Sequence, residues 1–429
     1  MARLVKILTR MKGYSFFQII QRTLVILFPF ALLGAFAQVI STSFLSVGGF
    51  FGSIFEINAW LPHYQALRVL FDDLSQLTLG MLTIAGAFEA AKYTAKHYQK
   101  DDQMAGLTAA ICYGLIFFHR MKGNTVTIEM RYYDYHWLLV GILVGYLVGR
   151  IFKRHGMDAQ EPQPQNDLIL SRAFGALKPI FVAVFWALVL HAVFGLVRYY
   201  RIDSYVLNTI QNFTNQPSSF MFTMTSALLT TVLAWFGFAG PLAFSTKVVE
   251  TEVWDNLSYA LSHGSSWKIP HPYSASSLYH SFGTFGGTGV LLALVIAMIV
   301  ASHSRNSRIV SQWSLFPAIF NTNFPVMIGI PVLLNPLYLI PFTLMPLFNM
   351  AVASLFIWLK VMPPVAYPVP SGTPGPLVPF IGTNGNIMAL VVAAFILILD
   401  VLLYLPFIRL TENVDQVTDQ EGALAHEAN

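Results

Sequence analysis

Charge is scarce in this 429-residue chain, with only 11% of residues Asp, Glu, Lys or Arg. A soluble domain carries about 25%, so this sequence lacks the ionic groups to face water on all sides. Cysteine is nearly absent as well. Cys112 stands alone in the apolar stretch 109–118, which excludes an internal disulfide and reads as a small buried residue. Apolar runs are continuous rather than alternating with period two, which argues against a membrane β-barrel. The basic, amphipathic start at 1–22 has no short apolar core followed by a small-residue cleavage site, so a retained cytoplasmic segment is expected, not a signal peptide. The sequence also lacks a nucleotide-binding loop, a metal-ligand cluster and a nucleophile–base arrangement. A primary pump or membrane hydrolase is disfavoured, and no cofactor or metal is expected.

Apolar residues dominate instead, at 55%. Runs of about 20 residues, enough to cross a ~30 Å hydrocarbon layer, recur along the chain. The expected fold class is an all-α polytopic membrane protein. About ten transmembrane helices are expected, at 23–45, 74–95, 104–118, 136–152, 173–197, 219–238, 289–301, 317–334, 337–359 and 388–408. The net charge of +4 does not imply nucleic acid, because the basic residues sit beside spans. Arg3, Lys6, Arg10, Lys12 and Arg22 precede the first span, Lys92, Lys96 and Lys100 follow the second, and Arg150, Lys153, Arg154 and Arg172 lie between the fourth and fifth. The first-to-second loop holds only Arg68, whereas Arg120, Lys122 and Arg131 run against the pattern. The alternation places both termini in the cytoplasm.

The polar, proline-rich stretch 157–167 reads as a cytoplasmic loop. Residues 201–216 carry Ile202, Tyr205, Val206 and Ile210 at amphipathic spacing, as an interfacial linker helix would. That divides the chain into an N-terminal transmembrane domain at 1–200, the linker, a C-terminal domain at 217–410 and a tail at 411–429. The tail is acidic and poor in apolar residues, so it reads as a disordered linker. In the C-terminal domain Gly and Pro punctuate the apolar sequence at 237–241, 283–289, 325–336 and 363–385. Non-helical backbone survives at membrane depth only where protein buries it or a polar cavity receives it. Broken apolar segments of this kind suggest re-entrant hairpins around a transport site.

The broken segments carry a recognisable string. Trp235-Phe236-Gly237-Phe238-Ala239-Gly240 is similar to Trp-Phe-(Phe/Gly)-x-His-Gly of the lactose/cellobiose (diacetylchitobiose-type) enzyme IIC proteins of the bacterial phosphotransferase system. The stretch 323–336, with Asn323, Pro325, Gly329, Pro331, Asn335 and Pro336 in register, resembles that family's Asn-Glu-Pro-(Ile/Val)-x-Phe-Gly-Leu-Pro-Ile-(Ile/Val)-(Leu/Met)-Asn-Pro. Thr383-Asn384-Gly385 matches its Thr-Asn-Gly turn, and Gly286-Gly287-Thr288-Gly289 and Pro363-Pro364-Val365 fall in family order.

The resemblance implies a homodimer in the bacterial cytoplasmic membrane, with the N-terminal domain forming the subunit interface. It implies a C-terminal domain that binds a β-linked disaccharide, which a separate cytoplasmic enzyme IIB phosphorylates. At most such a chain is the membrane subunit of a sugar phosphotransferase, with no nucleophile of its own. Three positions depart from the family. Ala239 stands where its histidine would, Phe324 where its glutamate would, and Ser371 where a tryptophan would. The lost imidazole and carboxylate could orient a sugar hydroxyl and manage its proton, and the lost indole could platform a sugar ring. Coupling to phosphorylation should therefore be impaired.

The substrate-binding candidates are Ala239, Gly240, His280, Asn323, Phe324, Ser371 and Asn384. Asn323, Asn335, Asn384 and Asn386 either bind sugar hydroxyls or cap half-helices, and both roles stay open. His263, His271, Glu250 and Glu252 are weaker candidates, since 254–271 reads as an exposed loop. Glu89 and His191 read as packed polar contacts. Two functions fit: a sugar permease, possible without phosphorylation, and a receptor that keeps the fold but signals instead of transporting.

Overall fold

The computed structural model describes residues 14–118, 129–157, 168–200, 205, 220–245 and 251–427. In chain order its principal helices are α1 (Ser15–Val39), α2 (Tyr64–Leu79), α3 (Leu82–His97), α4 (Asp102–Ile116), α5 (Leu138–His155) and α6 (Leu168–Tyr199). These are followed by α7 (Phe220–Trp235), α8 (Thr251–His263), α9 (Leu291–Ala301), α10 (Arg305–Ile319), α11 (Phe324–Gly329), α12 (Pro336–Trp358) and α13 (Ile387–Glu427). Among the described residues there is no strand, only an isolated bridge between Gly49 and Ser371.

Six helical stretches are long and apolar enough to cross a bilayer: Ser15–Phe44, Tyr64–His97, Tyr135–His155, Ala173–Tyr199, Pro336–Trp358 and Ile387–Val417. Two shorter apolar helices, Phe220–Trp235 and Leu291–Ala301, fall below the ~20 residues a full crossing needs. The all-helical membrane class therefore holds. Helix α6 packs on α4 and α5 through Ala176, Ala183 and Ala187 and leaves large apolar side chains exposed, with Phe181 at 70% exposure and Phe185 at 60%. Such a surface suits lipid tails and not water.

Three local expectations are corrected. The stretch 317–334 is not one span: α10 stops at Ile319, α11 is a short separate helix, and Asn321 and Leu334 adopt left-handed backbone. Pro325 and Pro331 supply no amide hydrogen, so the chain breaks there. Of the exposed loop expected at 254–271, the part up to His263 belongs to the helix α8, whose apolar residues share one face, and only 264–271 is irregular. The tail is not disordered at its start, since α13 runs unbroken to Glu427. Glu412 gives a reason. Its carboxylate accepts hydrogen bonds from Ser302 Oγ at 2.6 Å and from the His303 amide at 2.8 Å, which ties the helix to the start of α10. Apart from Tyr205, the expected linker helix at 201–216 lies outside the described residues, as does Glu250.

The chain forms two compact units. One comprises 10–31 and 76–207. Its core packs Ala87, Ala91, Ala105, Ala109, Cys112 and Tyr113 among α3, α4 and α5. Gly141, Gly145 and Gly149 repeat every fourth residue along α5, facing α3. A Cβ on Gly145 would lie 2.2 Å from the Ala87 carbonyl oxygen, so the two backbones approach as closely as small-residue helix pairs allow. Here Glu89 pairs with Lys92 at 3.4 Å, and His191 Nδ1 lies 3.3 Å from the Ile116 carbonyl.

The other unit comprises 1–9, 32–75 and 208–429. In it α7 packs on α12, α12 on α13, and α9 on both α10 and α13. Residues 32–75, early in the sequence, belong to this unit, and Ser371 exchanges backbone hydrogen bonds with them at Gly48 and Phe50, each 2.9 Å.

Candidate functional site

The glycine turn after the π-helical segment Tyr279–Gly283 meets the start of the asparagine–proline string. Gly286 and Gly287 have φ of +78° and +88°, values that cost a side-chain-bearing residue about 1–2 kcal/mol. The turn is pressed against the loop that precedes α11. The Gly286 amide donates to Asn321 Oδ1 at 2.8 Å, and a Cβ on Gly287 would fall 2.6 Å from Asn323 Cβ. A third segment closes on the same amide, because a Cβ on Gly375 would lie 2.5 Å from Asn321 Oδ1. Asn321 therefore joins three chain segments, and its own left-handed φ of 61° is one that Asn tolerates.

Asn323 thus meets the glycine turn, and Phe324 follows it, buried at 4% exposure, as the first residue of α11. The tryptophan motif is tied to the far end of the same asparagine–proline string. Trp235 Nε1 donates to the Asn335 carbonyl at 3.2 Å, and the Leu334 amide donates to the Trp235 carbonyl at 3.3 Å. Gly240 is buried where the chain folds back on α7, since a Cβ there would lie 2.3 Å from Thr230 Cα. The Leu242 amide donates to Thr230 Oγ1 at 3.0 Å, which fixes that fold-back, and Ala239 sits half-buried beside it. His280 lies in the Tyr279–Gly283 segment, its ring edge-on to Tyr279 at 5.3 Å.

Two further asparagines hold helix starts. Asn335 caps α12 through Leu337 N at 3.2 Å and donates to the Pro331 carbonyl at 3.0 Å. Asn384 is exposed, with φ of 59°, and ends the short helix Val378–Gly382. Asn386 caps α13 through Met388 N at 3.0 Å and Ala389 N at 3.2 Å. Ser371 is exposed and uses its backbone to pair with 48–50. Asn256 and the His271 backbone exchange two hydrogen bonds, 2.8 and 2.9 Å, while His271 lies 3.6 Å from Asp255 and 3.9 Å from Glu252. His263 is held at 3.0 Å from the Tyr259 carbonyl of its own helix. Replacing Asn386 with Ala is expected to cost about 1 kcal/mol of stability, the value of a lost cap, and to leave sugar binding unchanged. Thermal unfolding beside a binding isotherm reads both.

Sequence reasoning missed two residues. Asn321 carried no signal except its place before the motif. Asp400 did: it is the only charged residue in the apolar run 388–408, and it is fully buried. Among the described residues no group of three His, Cys, Asp or Glu side chains is placed to hold a metal.

The family model described as "Phosphotransferase system, EIIC" matches residues 21–346. The chain is 23% identical to the oligo-beta-mannoside-specific EIIC component of Bacillus subtilis (strain 168), over 99% of this chain and 96% of that one. It is 31% identical to the lactose-specific EIICB component of Staphylococcus aureus over 32% of this chain, which is 24% of that longer protein. A solved structure of the IIC component of an N,N'-diacetylchitobiose-specific phosphotransferase system is similar at TM-score 0.42 and 20% identity, over 96% of each chain.

Proposed function

The chain belongs to the phosphotransferase-system EIIC family, and on that premise we propose that it is a permease that binds a β-linked oligosaccharide, of disaccharide size, and carries it across the cytoplasmic membrane without obligatory phosphorylation. The observation that carries the reading is the end-to-end similarity to an EIIC component whose name specifies an oligo-β-mannoside. The glycine turn on half-buried Asn321 and Asn323 supports it, because side-chain amides carry the donor and acceptor groups that suit sugar hydroxyls. Uncoupling follows from Ala239 and Phe324, neither of which can take or give a proton. In this reading the broken segments enter the membrane as re-entrant hairpins, Ala239 and Phe324 face one cavity, the termini are cytoplasmic and the protein is a homodimer. A cytoplasmic enzyme IIB is then a dispensable partner.

The test is uptake of radiolabelled β-mannobiose and cellobiose into proteoliposomes, with and without phosphorylated enzyme IIB. Downhill flux without IIB, and no sugar phosphate with it, is the expected result. Accumulated sugar phosphate would restore the coupled mechanism, and saturable binding without flux would assign the chain to sensing.

A further inference from the structure

Asp400 lies near the middle of the apolar stretch Ile387–Val417, with no solvent exposure. Its partner is Asn349 of α12, also fully buried. Asn349 Nδ2 donates to Asp400 Oδ2 at 2.8 Å and to the Phe282 carbonyl at 3.1 Å. Two oxygens are left over. Asn349 Oδ1 and Asp400 Oδ1 are both buried without a hydrogen-bond partner. An amide oxygen and a carboxylate oxygen are both acceptors, so neither can satisfy the other. A proton on Asp400 would supply the missing donor, as in the two-bond ring of a carboxylic acid paired with an amide.

The titratable groups on the described elements around Asp400 are few. Against α13 pack α9, the turn Gly375–Leu377 and the helix Val378–Gly382, none of which contains a titratable residue. Helix α12 contributes only Tyr338, and the Tyr279–Gly283 segment contributes Tyr279 and His280. On α13 itself Tyr404 lies one turn beyond, and its hydroxyl donates to the Gly289 carbonyl at 2.6 Å. Asp400 and Tyr404, four residues apart on α13, thus reach the two ends of the segment that carries the glycine turn: Asp400 through Asn349 to Phe282, Tyr404 directly to Gly289.

We propose that Asp400 is a proton-binding site, and that its proton closes an acid–amide pair with Asn349 which pins the Tyr279–Gly283 segment to α12 and α13. The proton comes from water and returns to it, with no bond changed except the O–H of the carboxyl. Loss of the proton leaves a bare carboxylate beside a bare amide oxygen, which loosens the Asn349 side chain that holds the Phe282 carbonyl and so weakens the hold on the 279–289 segment. The segment that carries the glycine turn thereby gains a proton-controlled hold. The inference does not rest on the permease reading, because its test needs no sugar.

The test uses the full chain in detergent and in nanodiscs. Infrared difference spectra across a pH titration should show a protonated-carboxyl carbonyl band that disappears as the pH rises and is missing from Asp400→Asn. Hydrogen exchange of 279–289, corrected for the intrinsic pH dependence, should lose protection over the same range in the wild type. In Asp400→Asn, whose amide supplies the missing donor permanently, protection should stay flat. If that variant does not fold, the wild-type titration decides alone, since a common midpoint for band and protection supports the proposal. Protection that is independent of pH, a band that persists in Asp400→Asn, or protection that follows sodium concentration and not pH would overturn it.

Discussion

Gly287→Val is expected to leave little monodisperse protein after extraction. The substitution meets two costs together. A valine at φ of +88° is strained by about 1–2 kcal/mol. Its Cβ would also fall 2.6 Å from Asn323 Cβ, and overpacking of that kind costs about 1–3 kcal/mol. The sum, roughly 2–5 kcal/mol, is a large share of the 5–15 kcal/mol by which folded proteins are stable. Gly264→Ala is the control. Gly264 has φ of +62°, but an added methyl group there would find nothing within 4 Å, so only the backbone cost of about 1 kcal/mol should appear. Size-exclusion profiles and thermal unfolding compare the two. Equal loss in both variants would show that the seat of the glycine turn on Asn323 contributes nothing.

The paired change Ala239→His with Phe324→Glu is expected to raise affinity for cellobiose by roughly tenfold or more. A hydrogen bond to a charged group is worth about 1.5–3 kcal/mol, and two such groups would be restored at positions where the resembling family has them. The single Phe324→Glu should instead lose stability, because Phe324 is 4% exposed and a lone carboxylate there lacks compensation. Calorimetric titration with cellobiose, followed by sugar phosphate formation with phosphorylated IIB, reads both gains. A double variant that folds and shows neither gain would remove the argument that these two apolar residues occupy a sugar site.

Much of the site's chain order is legible in the residues themselves. The proline and glycine positions in 325–336 mark a break because proline has no amide hydrogen to continue a helix, and the structure breaks there. The stop of the helix Val378–Gly382 at Asn384 and Gly385 is legible as a turn, but its purpose is not. Asparagine carries the same donor and acceptor whether it meets a sugar or a helix end. Only the contacts made by Asn335 and Asn386 show that their side-chain oxygens are taken up by backbone. The tail misleads because its acidic composition lacks an apolar face, while Glu412 finds partners more than 100 residues away, at Ser302 and His303.

By itself the sequence determined the solvent this chain lives in and the class of element it can use there. Those follow from composition and from runs of local residues, since each apolar segment must satisfy its own backbone within the bilayer. It also determined the family, through residues close together in the chain. Tertiary structure alone decided which distant residues meet: that 32–75 belong with 208–429, that Asn321 holds Gly286, and that Asn349 reaches Asp400 across 51 positions. Hydropathy and propensity report short-range preference, whereas these meetings depend on how whole helices pack, and no local pattern encodes that choice.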